Sequence, residues 1–314
     1  MKETGVSVVV PVFNEAESLR ELHRELVTVL DSLGRPWEIL YLDDGSRDGS
    51  DRVIAELAGD ARVRGVSFRR NFGKSAALSV GFQHARGAVV VTLDADLQDD
   101  PAELPRMIEA LDGQDLVSGW KRNRRDPLNK TVPSRLFNAV TSWVAGIRLH
   151  DFNCGFKVYR REVVEAIEVY GELHRFIPAL AHWAGFRVGE LPVNHRPRKY
   201  GHSKFGASRF VNGLLDLISA AFLSTSALKP LHLFGRVGLL FLTIGVLLGM
   251  WFVILWLGGE PIRVRPLMLF GAGLVLLGIQ LILMGLLGEM IARLGVSSAR
   301  YPVRSRYNLE SPEA

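Results

Sequence analysis

With 314 residues, 48% of them hydrophobic, and a net charge of +5, the chain has room for one sizeable α/β domain plus something smaller, and its mean hydropathy is high for a wholly soluble protein. The single Cys154 excludes an internal disulfide and suits a reducing compartment. A positive balance points to nucleic acid, an acidic membrane or an anionic substrate, and the long apolar runs near the C-terminus favour the last two.

No signal peptide is expected, because residues 1–5 lead straight into Val6–Val12, a β-rich and nearly continuous apolar run, as for a strand buried on both faces. Leu19, Leu22, Leu26, Val29 and Leu33 then recur at helical spacing. Glu38–Leu42 predicts a second strand and Ser50–Ala58 a short helix; Val63–Phe68 predicts a third strand and Ser75–Ala85 a helix. Ala88–Leu93 predicts a fourth strand, Pro101 opens a helix reaching Leu111, and Asp115–Ser118 predicts a fifth strand. Strand and helix in alternation imply a mostly parallel, Rossmann-like α/β sheet with right-handed crossovers.

Such sheets bind ligands beyond the carboxyl ends of their strands, and polar clusters fall there: Pro11-Val12-Phe13-Asn14-Glu15, Asp43-Asp44-Gly45-Ser46 and Asp94-Ala95-Asp96-Leu97-Gln98. The absence of G-x-G-x-x-G after the first strand argues against a dinucleotide dehydrogenase. Gly73-Lys74-Ser75 looks like the end of a P-loop, but Phe68 stands where the first glycine is needed, so an NTPase reading fails. Asp94 and Asp96, two apart past a buried strand, can converge on one hard cation, Mg²⁺ or Mn²⁺, with Gln98 as a neutral oxygen donor. The plainer reading is a solvated turn with a helix cap, a role open to Asp99 or Asp100. Asp43 and Asp44 suit either a tight turn or a nucleoside site, and Asn14 and Glu15 either ligand contact or a cap on the first helix.

Two basic stretches, Lys121, Arg122, Arg124, Arg125, Lys130 and Arg135, then Arg196, Arg198, Lys199, Lys204 and Arg209, are candidates for a diphosphate or a lipid phosphate. Phe210–Leu223 is too polar to span a bilayer and suits an interfacial helix, with core packing as the alternative. Val237–Leu257 and Leu267–Gly288 are each long and apolar enough to cross the hydrocarbon core. Arginines and a lysine on the outer flanks favour a hairpin with both termini in the cytosol, although Arg263 and Arg265 in the connecting loop weaken the bias. Gly245 and Gly249 form a G-x-x-x-G that permits close helix contact, and Gln280 is expected to bond within the hairpin or to a partner. The expected organisation is a cytosolic catalytic domain over 1–207, an interfacial segment over 208–235, the hairpin over 236–290 and a cytosolic tail over 291–314.

Taken in order, VVVPVFNEAESL, LDDGSRDGS, RNFGKSAALSVGFQHARG and TLDADLQDDP resemble family 2 glycosyltransferases of the GT-A fold, and among them the polyprenyl-phosphate glycosyltransferases. The resemblance runs on through DFNCGFKVYRREV, HRFIPALAHWAGFRVGELPVNHRPRKYGHSKF and GLLGEMIARL, so nearly the whole chain is covered. It implies an inverting transfer of a sugar from a nucleotide-sugar to a polyprenyl phosphate at the cytosolic membrane face, with Mg²⁺ or Mn²⁺, membrane lipids as partners and no nucleic acid; homo-oligomerisation is compatible with it. By the same resemblance Pro11, Phe13, Glu15 and Asp44 line the nucleoside pocket, Asp94, Ala95, Asp96 and Gln98 hold the metal and donor diphosphate, and Arg122, Arg135, Arg198 and Lys204 lie nearest the phosphates. Gly119-Trp120-Lys121-Arg122 departs from the Gly-Ser-Arg often found in that group and leaves open which cation replaces the arginine. Two rival readings are a processive polysaccharide synthase, with Asp151 as base but no Q-x-x-R-W, and a non-catalytic membrane scaffold, for which the acidic triad has no evident use.

Overall fold

The computed structural model describes residues 5–122, 138–197, 199–200, 230–259, 266–293 and 303–308. They belong to two compact units, Met1–Ala220 with Arg300–Ala314, and Ala221–Ala299.

The first unit is built on β1 (Val6–Val12), α1 (Ala16–Ser32), β2 (Trp37–Asp43), α2 (Ser50–Leu57), β3 (Val63–Phe68), α3 (Lys74–His84) and β4 (Val89–Thr92). A short 3₁₀ turn at Pro101–Glu103 runs into α4 (Leu104–Glu109). Then come β5 (Leu116–Trp120), β6 (Lys157–Arg160), α5 (Arg161–Ala166), α6 (Ile177–Trp183) and β7 (Val188–Pro192). Strands β3, β2, β1 and β4 are parallel neighbours, as the strand–helix alternation predicts. Val6, Val8, Val10 and Val12 of β1 enter one apolar cluster and Val9 the other, which is why the strand reads as unbroken hydrophobic sequence. Leu19, Leu22, Leu26 and Leu30 press α1 into the first cluster; Ala76, Ala77, Leu78 and Val80 press α3 into the second, on the opposite face.

Three strands lie where the alternation gives no sign of them, β7 among them, parallel to β5 at one edge. The four-residue β6 sits between β4 and β5, antiparallel to both, giving the order β7-β5-β6-β4-β1-β2-β3. At the other edge β8 (Val303–Tyr307) returns from beyond the hairpin and pairs antiparallel with β3, so the expected tail carries the eighth strand of the sheet. Asn308 secures it, its Nδ2 donating to the carbonyls of Ala58 and Val63 at 2.6 and 2.9 Å.

The second unit is a pair of 28-residue helices, α7 (Pro230–Leu257) and α8 (Pro266–Arg293), both apolar and long enough to cross a bilayer. Leu239, Ile254, Leu257, Leu269 and Leu283 face outward, the reverse of a soluble core helix. The buried residues of the pair, among those described, are five glycines: Gly238 and Gly245 on α7, Gly271, Gly278 and Gly285 on α8. A Cβ on Gly278 would lie 2.6 Å from the Gly238 carbonyl oxygen, and one on Gly245 2.7 Å from that of Gly271. The contact therefore follows a seven-residue spacing, the repeat of a left-handed crossing. Gly249 has open space around it, so the G-x-x-x-G reading captures one contact glycine and one bystander. Gln280 lies on the exposed side of α8. The interfacial segment expected over 208–235 falls outside the described residues up to 229, and 230–235 open α7.

Candidate active site at the carboxyl rim of the sheet

The loops that follow the parallel strands β1, β2 and β4 hold the predicted clusters, and the first two loops are pinned to one another. The Asn14 amide donates to Ser46 Oγ at 2.8 Å and the Arg47 amide to Asn14 Oδ1 at 2.9 Å. The Glu15 amide donates to Ser50 Oγ and the Ala16 amide to Asp48 Oδ2, at 3.1 and 2.9 Å, so the start of α1 is capped by the neighbouring loop and not by its own side chain. Pro11, Phe13 and Glu15 are half-buried beside this junction.

Asp44 is almost fully buried, and its two carboxylate oxygens accept the amides of Phe72 and Gly73 at 2.7 and 2.9 Å. Burial raises its pKa, and the two amide bonds oppose that rise. Gly45 is required beside it: with φ 73° it lets the turn close so tightly that a Cβ would lie 2.4 Å from the Arg70 carbonyl carbon. The acidic turn after β2 thus fixes the first residues of α3, and with them Lys74.

The Lys74 ammonium pairs with Asp94 Oδ1, two residues past the end of β4. Burial alone would raise the Asp94 pKa, but Lys74, Lys121 and Lys157 together hold it well below the usual carboxylate range. Gly155, in the loop before β6, makes the space: a Cβ there would lie 2.6–2.7 Å from all three atoms of the Asp94 carboxyl group. Lys121 Nζ reaches Asp99 Oδ1 at 3.0 Å, with the Asp99 side chain wholly buried. Burial would lower the Lys121 pKa, and Asp99, Cys154 and Asp94 outweigh it and raise the value. Lys157, the first residue of β6, is buried with its ammonium on the Cys154 carbonyl, and burial brings its pKa down to about 8.

Asp96 is buried and accepts the Gln98 amide at 3.2 Å; Ala95 and Leu97 are packed in the core beneath them. The loop is tied down by the chain that follows β7: the Arg196 amide donates to the Gln98 carbonyl at 2.8 Å, and Gln98 Nε2 lies 3.5 Å from His195 Nε2. Asp100 takes the capping role, accepting the Ala102 amide, Arg196 and Asn194 at 3.1, 2.7 and 3.0 Å. Ser75 Oγ accepts the His174 amide at 3.1 Å and lies 3.0 Å from His174 Nδ1. His174 is held neutral, first by burial and then by Lys74, Arg175 and Lys157. Arg122 is exposed and lies 5.8 Å over the Trp120 ring, which stacks on His150 at 4.1 Å. Arg135, Arg198 and Lys204 lie outside the described residues.

Two carboxylates two residues apart are oxygen donors of the kind a hard divalent cation takes. Asp94 is held ionised and already binds one cation, the Lys74 ammonium, while Asp96 supplies a second carboxylate two residues on. Among the described residues no group of three His, Cys, Asp or Glu side chains converges, so the remaining ligands would come from water and substrate. Sequence reasoning missed Lys74, Lys157 and the Ser75–His174 pair as parts of this site. A local signal existed only for Lys74 and Ser75, in the rejected P-loop ending.

Residues 7–168 match the pattern of Glycosyl transferase family 2, and residues 229–294 match the GtrB C-terminal hairpin. The chain is 36% identical over 285 residues to the dodecaprenyl-phosphate galacturonate synthase of Rhizobium johnstonii, covering 86% of this chain and 82% of that one. It is 40% identical over 235 residues to the undecaprenyl-phosphate 4-deoxy-4-formamido-L-arabinose transferase of Edwardsiella ictaluri, covering 74% and 72%. Among solved structures, glucosyl-3-phosphoglycerate synthase of Mycobacterium tuberculosis, in complex with Mn²⁺, UDP-glucose and phosphoglyceric acid, shares the fold with a TM-score of 0.56 at 19% identity, over 72% of this chain and 82% of that one.

Proposed function

The chain belongs to glycosyl transferase family 2, and from that premise we propose that it moves a sugar from a nucleotide-sugar onto a polyprenyl phosphate at the cytosolic face of a membrane, with inversion and with a divalent cation. The observation that carries the reading is the Asp94–Asp96 loop set among lysines, in a family 2 sheet whose chain continues into a membrane-type hairpin.

The cation, Mg²⁺ or Mn²⁺ on Asp94 and Asp96 with Gln98 nearby, would neutralise charge developing on the leaving nucleoside diphosphate. The rest falls to the chain's own groups. Lys74, the most exposed of the three lysines around Asp94, would pair with a diphosphate oxygen, and Lys121 and Lys157 add positive potential behind it. Asp44, by fixing Phe72 and Gly73, sets where Lys74 can reach, and Pro11, Phe13 and Glu15 offer a half-buried edge to the nucleoside. A hydroxyl acceptor would need a general base. A lipid monophosphate does not: with a second pKa of about 6, by analogy with phosphoserine, it arrives largely dianionic. Arg122, together with Arg135, Arg198 and Lys204, is assigned to orient that phosphate, and much of the rate gain then comes from holding the two reactants in line.

Strand β8 supports the membrane topology. The chain leaves the catalytic unit after β7 and re-enters its sheet at Val303, which requires an even number of crossings between the two points. The two candidate spans among the described residues are compatible with that, and we assign the shared side to the cytosol on the flanking positive charge.

The test incubates the full chain in nanodiscs with Mg²⁺, a polyprenyl phosphate and a panel of radiolabelled nucleotide-sugars. One label is expected in the organic phase, and Asp96→Ala should cut its transfer at least about a hundredfold, since a metal-held leaving group is worth several kcal/mol. Label recovered only in water-soluble polymer, or transfer undiminished by chelator and by Asp96→Ala, would contradict the assignment.

A further inference from the structure

We propose that Lys74 is an internal counter-cation of the metal site, displaced from Asp94 only when a divalent ion and a nucleoside diphosphate arrive together, so that the free enzyme holds the metal weakly until nucleotide is present. The inference rests on the preceding metal reading and adds a binding order to it.

The three lysines around Asp94 differ in how they are held. Lys121 is paired with the wholly buried Asp99 and is itself only 12% exposed; Lys157 is buried with its ammonium on a backbone carbonyl. Neither can leave without stranding a buried group. Lys74 is different: its side chain is 29% exposed and the Asp94 side chain 34%, so its ammonium can turn to solvent without stranding a wholly buried partner. Its backbone, in contrast, is anchored on both sides, by Asp44 through Phe72 and Gly73 and by His174 through Ser75 Oγ. The ammonium can swing on its four-carbon stem while its root stays fixed at the start of α3.

Charge decides what can replace it. A divalent ion approaching Asp94 alone must compete with Lys74 for the same oxygen and meets two further fixed ammonium groups. A nucleoside diphosphate brought with the ion supplies the missing negative charge and gives the released Lys74 a new partner within reach. Metal and nucleotide affinities are then coupled, and by linkage each tightens the other by the same factor.

The experiment titrates Mn²⁺ into the purified full chain in detergent and reads free Mn²⁺ by electron paramagnetic resonance, alone and with saturating UDP or GDP. Wild-type protein is expected to bind Mn²⁺ at least about tenfold more tightly with the nucleotide it uses than without. Lys74→Gln should bind Mn²⁺ alone at least about tenfold more tightly than wild type and lose most of the nucleotide effect, while Lys74→Arg keeps the wild-type pattern. Unchanged Mn²⁺ affinity in folded Lys74→Gln, with nucleotide-dependent uptake intact in wild type, would overturn the role of Lys74 and leave the metal reading standing. Absence of Mn²⁺ uptake by wild type under every nucleotide would remove both. The wild-type coupling needs no variant, so a misfolded Lys74→Gln does not shelter the proposal: equal Mn²⁺ affinity with and without nucleotide overturns it.

Discussion

In the rim of the sheet, Asp44, Asp94 and Asp99 are each held by a donor from a distant part of the chain. In the hairpin the buried residues are glycines, and what brings the two helices together is the lack of any side chain between them. The rim stores specificity in paired charges, where removing one partner leaves the other buried and unmatched. The hairpin stores it in shape, where adding a single methyl group forces two backbones apart. A substitution that deletes atoms is therefore the severe one in the first region, and a substitution that adds atoms is the severe one in the second.

The largest effect expected from this contrast is at Lys121. Lys121→Met leaves Asp99, with no exposed side-chain surface, as an uncompensated buried carboxylate, and should cost about 3–5 kcal/mol of catalytic-unit stability. The double variant Lys121→Met/Asp99→Asn should recover most of that loss, because both charges are then gone. Urea unfolding of the full chain, followed by tryptophan fluorescence, measures both. A single variant within about 0.5 kcal/mol of wild type would mean that the pair is not the buried interaction drawn here.

The hairpin reverses the sign. Gly278→Ala adds a Cβ that would sit 2.6 Å from the Gly238 carbonyl oxygen and 2.7 Å from the Leu242 amide nitrogen, and should cost about 1–3 kcal/mol in an SDS-titration unfolding midpoint. Gly249→Ala meets open space and should be neutral or gain up to about 1 kcal/mol from helix propensity. Equal effects at the two positions would break the claim that the seven-residue glycine register, and not glycine content, sets the contact.

The same two regions divide what could be read from the sequence. The acidic clusters were legible because each is local: a strand that reads as continuous apolar sequence ends, and two or three carboxylates follow within five residues. Their partners were not. Lys74 lies 20 residues from Asp94, Phe72 lies 28 from Asp44, and His174 lies 99 from Ser75. No periodicity spans such gaps. Strand β6 has four residues, too few to show a period, and β8 is separated from its partner β3 by both long helices. The hairpin glycines were legible in principle, since 238 and 245, then 271, 278 and 285, repeat every seven residues. A four-residue motif drew the eye to Gly249, which sits on the wrong face.

The smallest expected effect concerns Lys157. Its folded pKa is brought down to about 8, against about 10.4 for an unfolded lysine, so above pH 8 the unfolded chain binds more protons than the folded one and stability rises with pH. Lys157 by itself contributes a rise of about 1 kcal/mol between about pH 8 and about pH 9. Below pH 8 both states keep the proton and the slope vanishes. From about pH 8.5 Cys154 acts in the opposite direction: burial pushes its thiol up to about 12, so the folded protein keeps a proton that the unfolded thiol gives up, and most of the lysine's contribution is cancelled. Urea midpoints measured across this range should therefore climb only slightly in wild type, fall from about pH 8.5 in Lys157→Met, and climb by about 1 kcal/mol between pH 8 and 9 and on past pH 9 in Cys154→Ala. Gly278→Ala should leave the slope unchanged, because it introduces no titrating group and acts at a contact made by backbone. A pH slope altered by Gly278→Ala, or preserved in Lys157→Met, would show that the charge-built and shape-built regions do not act independently.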